Sequence, residues 1–172
     1  MKGKLIFNPE KCTGCNVCTV VCSLYHNGYI NPIESRIKVL RKENENLDTI
    51  NVCVQCKEKF CVNVCPTKAL SINDKDGTIL VDHNKCILCK SCVISCPYNG
   101  IKIDPIINKI IVCDLCGGNP QCVENCPTNA IEYVNEILSD LSYIKNKKII
   151  DINKKIIDEK RRTLLIVKKG YI

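Results

Sequence analysis

The segment CILCKSCVISCP (residues 86–97) decides the fold, because it spaces four cysteines as C-x2-C-x2-C-x3-C and follows them with proline. Three other segments repeat this plan, and together the four groups use all sixteen cysteines of the 172-residue chain. In chain order the groups are Cys12, Cys15, Cys18 and Cys22; Cys53, Cys56, Cys61 and Cys65; Cys86, Cys89, Cys92 and Cys96; and Cys113, Cys116, Cys122 and Cys126. A fourfold repeat of one cysteine pattern indicates a set of ligands.

The redox compartment of the protein decides whether its cysteines bind metal or form disulfide bonds. The N-terminus has only three contiguous apolar residues, at positions 5–7, and the longest later apolar run, at 164–167, is also short. Neither matches a secretory signal or a membrane span. We therefore expect a cytoplasmic protein with reduced thiols that bind metal. With no Trp and two Phe, an ordinary aromatic core is excluded, and metals are expected to hold the fold together.

The spacing favours iron–sulfur clusters over zinc. A structural zinc ion needs two pairs of ligands and gives no reason for a third cysteine or for Cys-Pro. The run C-x2-C-x2-C-x3-C-P is instead the bacterial ferredoxin pattern, in which three cysteines bind one cluster and the fourth binds its neighbour. Groups two and four contain extra residues, and group one has Ser23 in place of proline. Because every group keeps four cysteines, we expect four [4Fe-4S] clusters, with zinc and disulfides as alternatives.

The segment between groups two and three shows which groups belong together. Residues 66–85 read as a helical turn, a strand at 69–72, a turn at 73–77 and a strand at 78–82. This is the interior of a two-cluster ferredoxin. Residues 53–104 are therefore predicted to form one complete inner unit.

Groups one and four then remain, and they are predicted to form the second two-cluster unit together. Residues 4–11 resemble the second strand of that hairpin, and residues 127–134 resemble its first strand. The predicted fold is α+β, with an outer ferredoxin-like unit (1–52 and 105–134) into which the inner unit is inserted. A C-terminal extension, 135–172, completes the chain.

Further strands are expected to cover the clusters. Residues 35–41 alternate in hydrophobicity, and the chain becomes apolar again at 51–52 after a charged stretch. Segments 101–103 and 109–112 flank Pro105 and read as a second hairpin.

These pairings predict four ligand shells, each with three cysteines from one group and one from its partner group. Shell 1 is Cys12, Cys15, Cys18 and Cys126; shell 2 is Cys113, Cys116, Cys122 and Cys22; shell 3 is Cys53, Cys56, Cys61 and Cys96; shell 4 is Cys86, Cys89, Cys92 and Cys65.

Charge is unevenly distributed along the chain. The formal net charge is +7, but four thiolate-bound clusters would bring about eight negative charges. Residues 135–172 carry ten basic and five acidic side chains and read as a helix followed by a strand. This extension either packs on the core or docks against a partner subunit or a second copy. Nucleic acid binding is not expected, because the basic residues lack interleaved aromatic residues.

Residues 4–134 resemble the four-cluster ferredoxin-type subunits of oxidoreductase complexes, of the dimethyl sulfoxide reductase iron–sulfur subunit type. Segments 22–28, 31–32 and 35–37 are similar to the small subunit of tungsten aldehyde oxidoreductases. The resemblance implies a non-catalytic subunit, suited to anaerobic conditions. It would relay electrons between a tungstopterin enzyme and a soluble carrier such as ferredoxin.

Other functions stay open at the level of sequence. The catalytic partner could be a carbon monoxide dehydrogenase, a hydrogenase or a formate dehydrogenase, or the chain could be a free polyferredoxin. A multi-zinc structural or nucleic-acid-binding module is a remote alternative. No nucleophile–base set, P-loop or dinucleotide motif is present to suggest catalysis. His26 and His83 stay outside the predicted site, because a lone histidine is more often structural.

Overall fold

A computed structural model describes residues 3–42 and 47–135. This part of the chain has a small α+β architecture of short strands and helices, which confirms the expected fold class. In chain order the elements are β1 (Gly3–Phe7), α1 (Val17–Asn27), β2 (Lys38–Lys42), β3 (Leu47–Asn51), α2 (Phe60–Asn63), β4 (Leu70–Ile72), β5 (Ile79–Val81), α3 (Ser91–Ser95), β6 (Ile101–Ile103), β7 (Ile110–Val112), α4 (Gln121–Glu124) and β8 (Ile131–Asn135). The helix and strand expected in 135–172 lie outside the described residues, except for Asn135 at the end of β8.

The strands form antiparallel pairs, β1 with β8, β2 with β3, β4 with β5 and β6 with β7. The β4–β5 and β6–β7 pairs are the two hairpins that the sequence predicted. Strands β1 and β8 come from opposite ends of the described chain and pair with Leu5 opposite Tyr133. That pairing closes the chain on itself and brings group one beside group four.

One strand begins earlier than the sequence predicted. We expected residues 42–48 to be a charged connection, but β3 already starts at Leu47. Arg41 lies opposite Asp48 in the register, and their side chains form an ion pair with 3.6 Å between Nε and Oδ1. Cross-strand pairing of opposite charges stabilises a strand that hydrophobic alternation alone would not identify.

Helix α1 is much longer than the short helices in groups two to four. In those groups a proline directly follows the fourth cysteine and prevents the helix from continuing. Group one has Ser23 there, and its buried hydroxyl donates to the Val20 carbonyl (2.9 Å) and accepts from the Asn31 amide (3.1 Å). The helix therefore runs on to Gly28, whose φ of +76° ends it and whose N–H donates to the Leu24 carbonyl.

The four cysteine loops share one backbone feature. In every group the residue before the second cysteine has a left-handed conformation, which few non-glycine residues adopt. These residues are Gly14 (φ +65°), Gln55 (+50°), Leu88 (+54°) and Leu115 (+58°). The sequence repeat is thus also a repeat of local structure.

Buried residues form two core clusters. One contains Leu5, Phe7, Cys18, Cys22, Ile37, Ile50, Val52, Cys113, Leu115, Cys122, Ala130 and Ile131. The other contains Cys61, Leu70, Ile79, Cys92, Cys96, Ile101, Ile110 and Val112. Cys53 packs against both clusters, and it therefore lies where they meet.

Gln55 ties loop two to loop four, and its loss should weaken the fold. Its side chain is buried, and Nε2 donates to the carbonyl of Cys113 at 2.7 Å. We expect Gln55→Leu to destabilise the protein by about 1–3 kcal/mol, because the buried carbonyl would lose its donor. The check is guanidinium denaturation of the anaerobically purified chain, followed by circular dichroism. The matched control is Gln121→Leu, which removes a side-chain amide whose hydrogen bond to the Asn119 carbonyl is exposed. Equal losses of stability in the two variants would contradict the prediction.

Gly100 is predicted to tolerate no side chain. A Cβ there would lie 2.5 Å from the Cα of Cys53 and 2.7 Å from the carbonyl oxygen of Val52. These are backbone atoms, so no change of side-chain rotamer could relieve the clash. Gly100→Ala should therefore cost about 1–3 kcal/mol through overpacking, measured by the same denaturation. Gly117→Ala is the comparison, because its Cβ would meet nothing within 4 Å and only its left-handed φ of +68° opposes the change. A smaller loss for Gly100→Ala than for Gly117→Ala would refute this steric argument.

Candidate iron–sulfur centres

Four thiols converge on a cavity between loop two and the end of loop three. Cys53, Cys56, Cys61 and Cys96 line it. The remaining wall is mostly apolar and includes Ile79, Tyr98 and Val112. The pKa of the Cys61 thiol is raised to about 11, chiefly by burial and in addition by the nearby thiols of Cys96 and Cys56. The cavity therefore concentrates sulfur ligands away from water.

A second cavity gathers four more thiols. Cys65, Cys86, Cys89 and Cys92 line it, again with apolar neighbours such as Leu70 and Ile110. Three of these cysteines belong to group three and one to group two. Cys92 is buried, whereas Cys89 is exposed, so this cavity lies close to the protein surface.

The thiols of Cys12, Cys15, Cys18 and Cys126 are neighbours in the structure. The pKa of Cys18 is raised to about 12, chiefly by burial and in addition by the thiols of Cys12, Cys15 and Cys126. Group one thus supplies three sulfurs at this place and group four supplies one. Cys15 is exposed, which puts these thiols near the surface as well.

The last four thiols are the most deeply enclosed. Burial raises the pKa of Cys122, and the neighbouring thiols of Cys113, Cys22 and Cys116 raise it further. All four of these cysteines are buried. The structure therefore brings Cys22 of group one to three cysteines of group four.

The grouping of the thiols fits the chemistry of [4Fe-4S] ligation. Each of the four places receives three sulfurs from one group and one from another, and all sixteen cysteines are free thiols. Four thiolates around one mainly apolar cavity suit an iron–sulfur cluster. A raised thiol pKa means that burial opposes the thiolate. Bound metal ions offset that opposition because their positive charge stabilises the deprotonated sulfurs that they require as ligands.

In each of groups two to four, a backbone N–H donates a hydrogen bond to one cysteine sulfur. The amide four residues after the fourth cysteine donates to that cysteine's sulfur: Ala69 to Cys65 (3.3 Å), Gly100 to Cys96 (3.3 Å) and Ala130 to Cys126 (3.2 Å). Although burial raises the pKa of Cys126, the N–H groups of Ala130 and Thr128 lower it below its usual value. Such donors favour the thiolate. Sequence reasoning missed them because they come from the backbone.

Lys102 is another feature that the sequence did not reveal. It lies in β6 and its Nζ donates to the carbonyl of Ser35 at 3.5 Å. Burial, followed by the charge of Lys38, lowers its pKa to about 7, while the thiols of Cys22 and Cys113 oppose this shift. The protonated form of Lys102 would offset negative charge on these sulfurs. The hydrophobic alternation in residues 101–103 did not indicate this role.

The four sets of thiols follow one another through the molecule. Cysteines of successive sets are close enough to affect one another's pKa electrostatically. Cys18 raises the pKa of Cys122, Cys113 raises that of Cys53, and Cys61 raises that of Cys92. The two exposed cysteines, Cys15 and Cys89, belong to the first and last sets. The order is therefore linear, and neither of the two middle sets contains an exposed cysteine. Within 3–42 and 47–135, no helix has the length and apolarity needed to cross a membrane.

Comparison with known proteins identifies the family. Residues 45–136 match the family described as 4Fe-4S dicluster domain, and residues 9–25 match that described as 4Fe-4S binding domain. The chain is 47% identical over 125 residues to the "Aliphatic sulfonate oxidoreductase, polyferredoxin-like subunit" of Pyrococcus furiosus, covering 71% of this chain and 70% of the relative. It is 36% identical to "NADH-dependent phenylglyoxylate dehydrogenase subunit beta" of Aromatoleum evansii, over 76% of this chain and 30% of that one.

Among solved structures, "Active site complex BamBC of Benzoyl Coenzyme A reductase in complex with Benzoyl-CoA" has a chain that matches with a TM-score of 0.45 and 19% identity. The match covers 93% of this chain and 98% of that one. The family match extends over more than half of the sequence, and the Pyrococcus relative is similar over most of its length. This chain therefore belongs to the 4Fe-4S dicluster ferredoxin family.

Proposed function

We propose that the chain binds four [4Fe-4S] clusters through the four shells expected from the sequence. The convergence of Cys65 with Cys86, Cys89 and Cys92 on one cavity is the observation that carries this proposal. A corresponding cavity supports shell 3, and the mutual electrostatic influence of the thiols supports shells 1 and 2.

The shells imply two nested units, an inner one at 53–104 and an outer one at 1–52 and 105–134. The two core clusters support this division, since one is built from residues 5–52 and 113–131 and the other mainly from residues 61–101. Strand β7 packs with the inner cluster although it follows residue 104, so the hairpin β6–β7 links the two units.

The function that fits this arrangement is electron relay within an oxidoreductase complex. A [4Fe-4S] cluster with four cysteine ligands exchanges single electrons and leaves no iron position open for a substrate. The protein supplies the ligands, excludes water from the middle of the series, and leaves the two ends near the surface at Cys15 and Cys89. Electrons would therefore enter at one end and leave at the other, and the chain itself is not the catalyst.

The partner would be a catalytic oxidoreductase subunit. Two relatives are named as subunits of an aliphatic sulfonate oxidoreductase and of a phenylglyoxylate dehydrogenase, which supports membership of a complex. For this chain we propose a tungstopterin aldehyde oxidoreductase as the partner, because segments 22–28, 31–32 and 35–37 resemble its small subunit. A soluble ferredoxin-type carrier in the cytoplasm would be the other partner, and residues 135–172 would serve docking or self-association.

The crossed ligation can be tested with paired cysteine variants. Cys65→Ala with Cys89→Ala removes two ligands from one proposed shell, so three intact [4Fe-4S] clusters should remain. Cys65→Ala with Cys56→Ala removes two cysteines of one sequence group that belong to different shells, so only two should remain intact. Mössbauer spectroscopy of the ⁵⁷Fe-labelled, anaerobically purified chain counts them. The opposite result, two intact clusters in the first variant and three in the second, would show that each group binds its own cluster.

Metal analysis of the native complex tests the function and the partner separately. We expect about 16 iron atoms per chain, together with tungsten, when the complex is purified without oxygen through this chain. Nickel or molybdenum in place of tungsten would assign the chain to a different oxidoreductase, and iron alone would indicate a free polyferredoxin. Zinc without iron would overturn the electron-transfer function.

A further inference from the structure

His26 lies beside the most deeply buried set of thiols. It is in α1, one turn after Cys22, and its side chain is only 11% exposed. Its Nε2 lies 3.9 Å from Sγ of Cys116 and 3.5 Å from Oδ1 of Asp114. A thiolate and a carboxylate can only accept a hydrogen bond. The tautomer with its proton on Nε2 therefore fits this site once Cys116 ligates a cluster, because Nε2 then faces two groups that can only accept.

The position of His26 in group one corresponds to that of a hydrogen-bond donor in each other group. In groups two to four, the residue four places after the fourth cysteine donates its backbone N–H to sulfur: Ala69, Gly100 and Ala130. In group one that residue is His26, and it lies within α1, where backbone N–H groups are used by the helix. Its imidazole Nε2 instead lies 3.9 Å from Sγ of Cys116, a sulfur of the same proposed shell.

Neighbouring side chains hold the imidazole in this orientation. The ring of Tyr25 packs edge-on against it, with 4.9 Å between ring centroids, and the Tyr25 hydroxyl donates to the Cys116 carbonyl at 3.3 Å. Arg36 pairs with Asp114 at 2.5 Å between Nη1 and Oδ2, and Asp114 Oδ1 accepts from the Cys116 amide at 3.0 Å. The contacts join α1, the segment after it and loop four, so the ring has little freedom to turn away.

We propose that His26 tunes the cluster of shell 2 by donating a hydrogen bond from Nε2 to the Cys116 thiolate, which raises that cluster's reduction potential. This inference rests on the proposed ligand set. A hydrogen bond to a ligand sulfur withdraws negative charge, and it stabilises the reduced, more negative cluster more than the oxidised one. His26 acts through the ligand, and it is a positioning residue of the electron relay.

Substitution of His26 should shift one potential out of four. In His26→Phe, the ratio of reduced to oxidised shell 2 cluster, measured at the wild-type midpoint potential, should fall about tenfold, which corresponds to about 59 mV for one electron. His26→Gln keeps an N–H donor and should retain most of the wild-type value. His83→Phe is the control, because His83 is exposed. Potentiometric titration followed by electron paramagnetic resonance provides the measurement, and iron content confirms that all clusters are present.

The wild-type protein provides a second measurement, which does not depend on the folding of a variant. With ¹⁵N-labelled histidine, pulsed electron paramagnetic resonance of the reduced chain should detect a nitrogen coupled to one cluster. Absence of that coupling overturns the proposal, as does a His26→Phe chain with full iron and four unchanged potentials. If His26→Phe loses iron, His26→Gln decides, and a lowered potential there counts against the proposal. A protein without iron would instead overturn the cluster assignment itself.

Discussion

The structure depends on the enclosure of thiols in groups of four. Cys113 illustrates the constraint. Its pKa is raised to about 12, chiefly by burial, with the Leu115 amide lowering it and the neighbouring thiol of Cys22 raising it. Sulfurs collected in this way are poorly stabilised as thiolates by the protein alone. A metal centre that requires deprotonated ligands reverses that penalty, so metal binding and folding are coupled. The short strands and helices serve mainly to hold the sulfurs at these places.

The four cysteine groups all place their sulfurs with the same loop conformation. Residues such as Gln55 and Leu88 adopt the left-handed backbone conformation that Gly14 adopts more easily. The surrounding structure maintains this strained backbone because each loop must bend around its sulfurs. The loops are then linked by specific contacts, of which the buried bond from Gln55 to the Cys113 carbonyl is the clearest. Local repetition supplies the ligands, and a few contacts between loops set their relative positions.

Group one shows how a small departure from the repeat changes the structure. With Ser23 where the other groups have proline, α1 continues for more than a turn beyond Cys22. This extension brings His26 to Cys116 and leaves Tyr25 and Tyr29 about half exposed. The two ends of the cluster series also differ in their surroundings. Cys15 follows Gly14, whose surface is covered by Asp48 and Arg41, whereas Cys89 lies near Ile87, which is 66% exposed.

The sequence by itself determined the four cysteine groups, the α+β class and most of the short strands, because ligand spacing and alternating hydrophobicity are local properties. It placed the start of β3 too late, since the pairing of Arg41 with Asp48 is a contact between two strands and not a property of either strand's own hydrophobic pattern. Tertiary structure alone decided that Lys102 approaches Cys22 and Cys113 and that His26 faces Cys116. The approach of Lys102 to Cys22 joins residues 80 positions apart, and that of His26 to Cys116 joins residues 90 positions apart. Only the folded chain brings such distant charges and donors to these sulfur atoms.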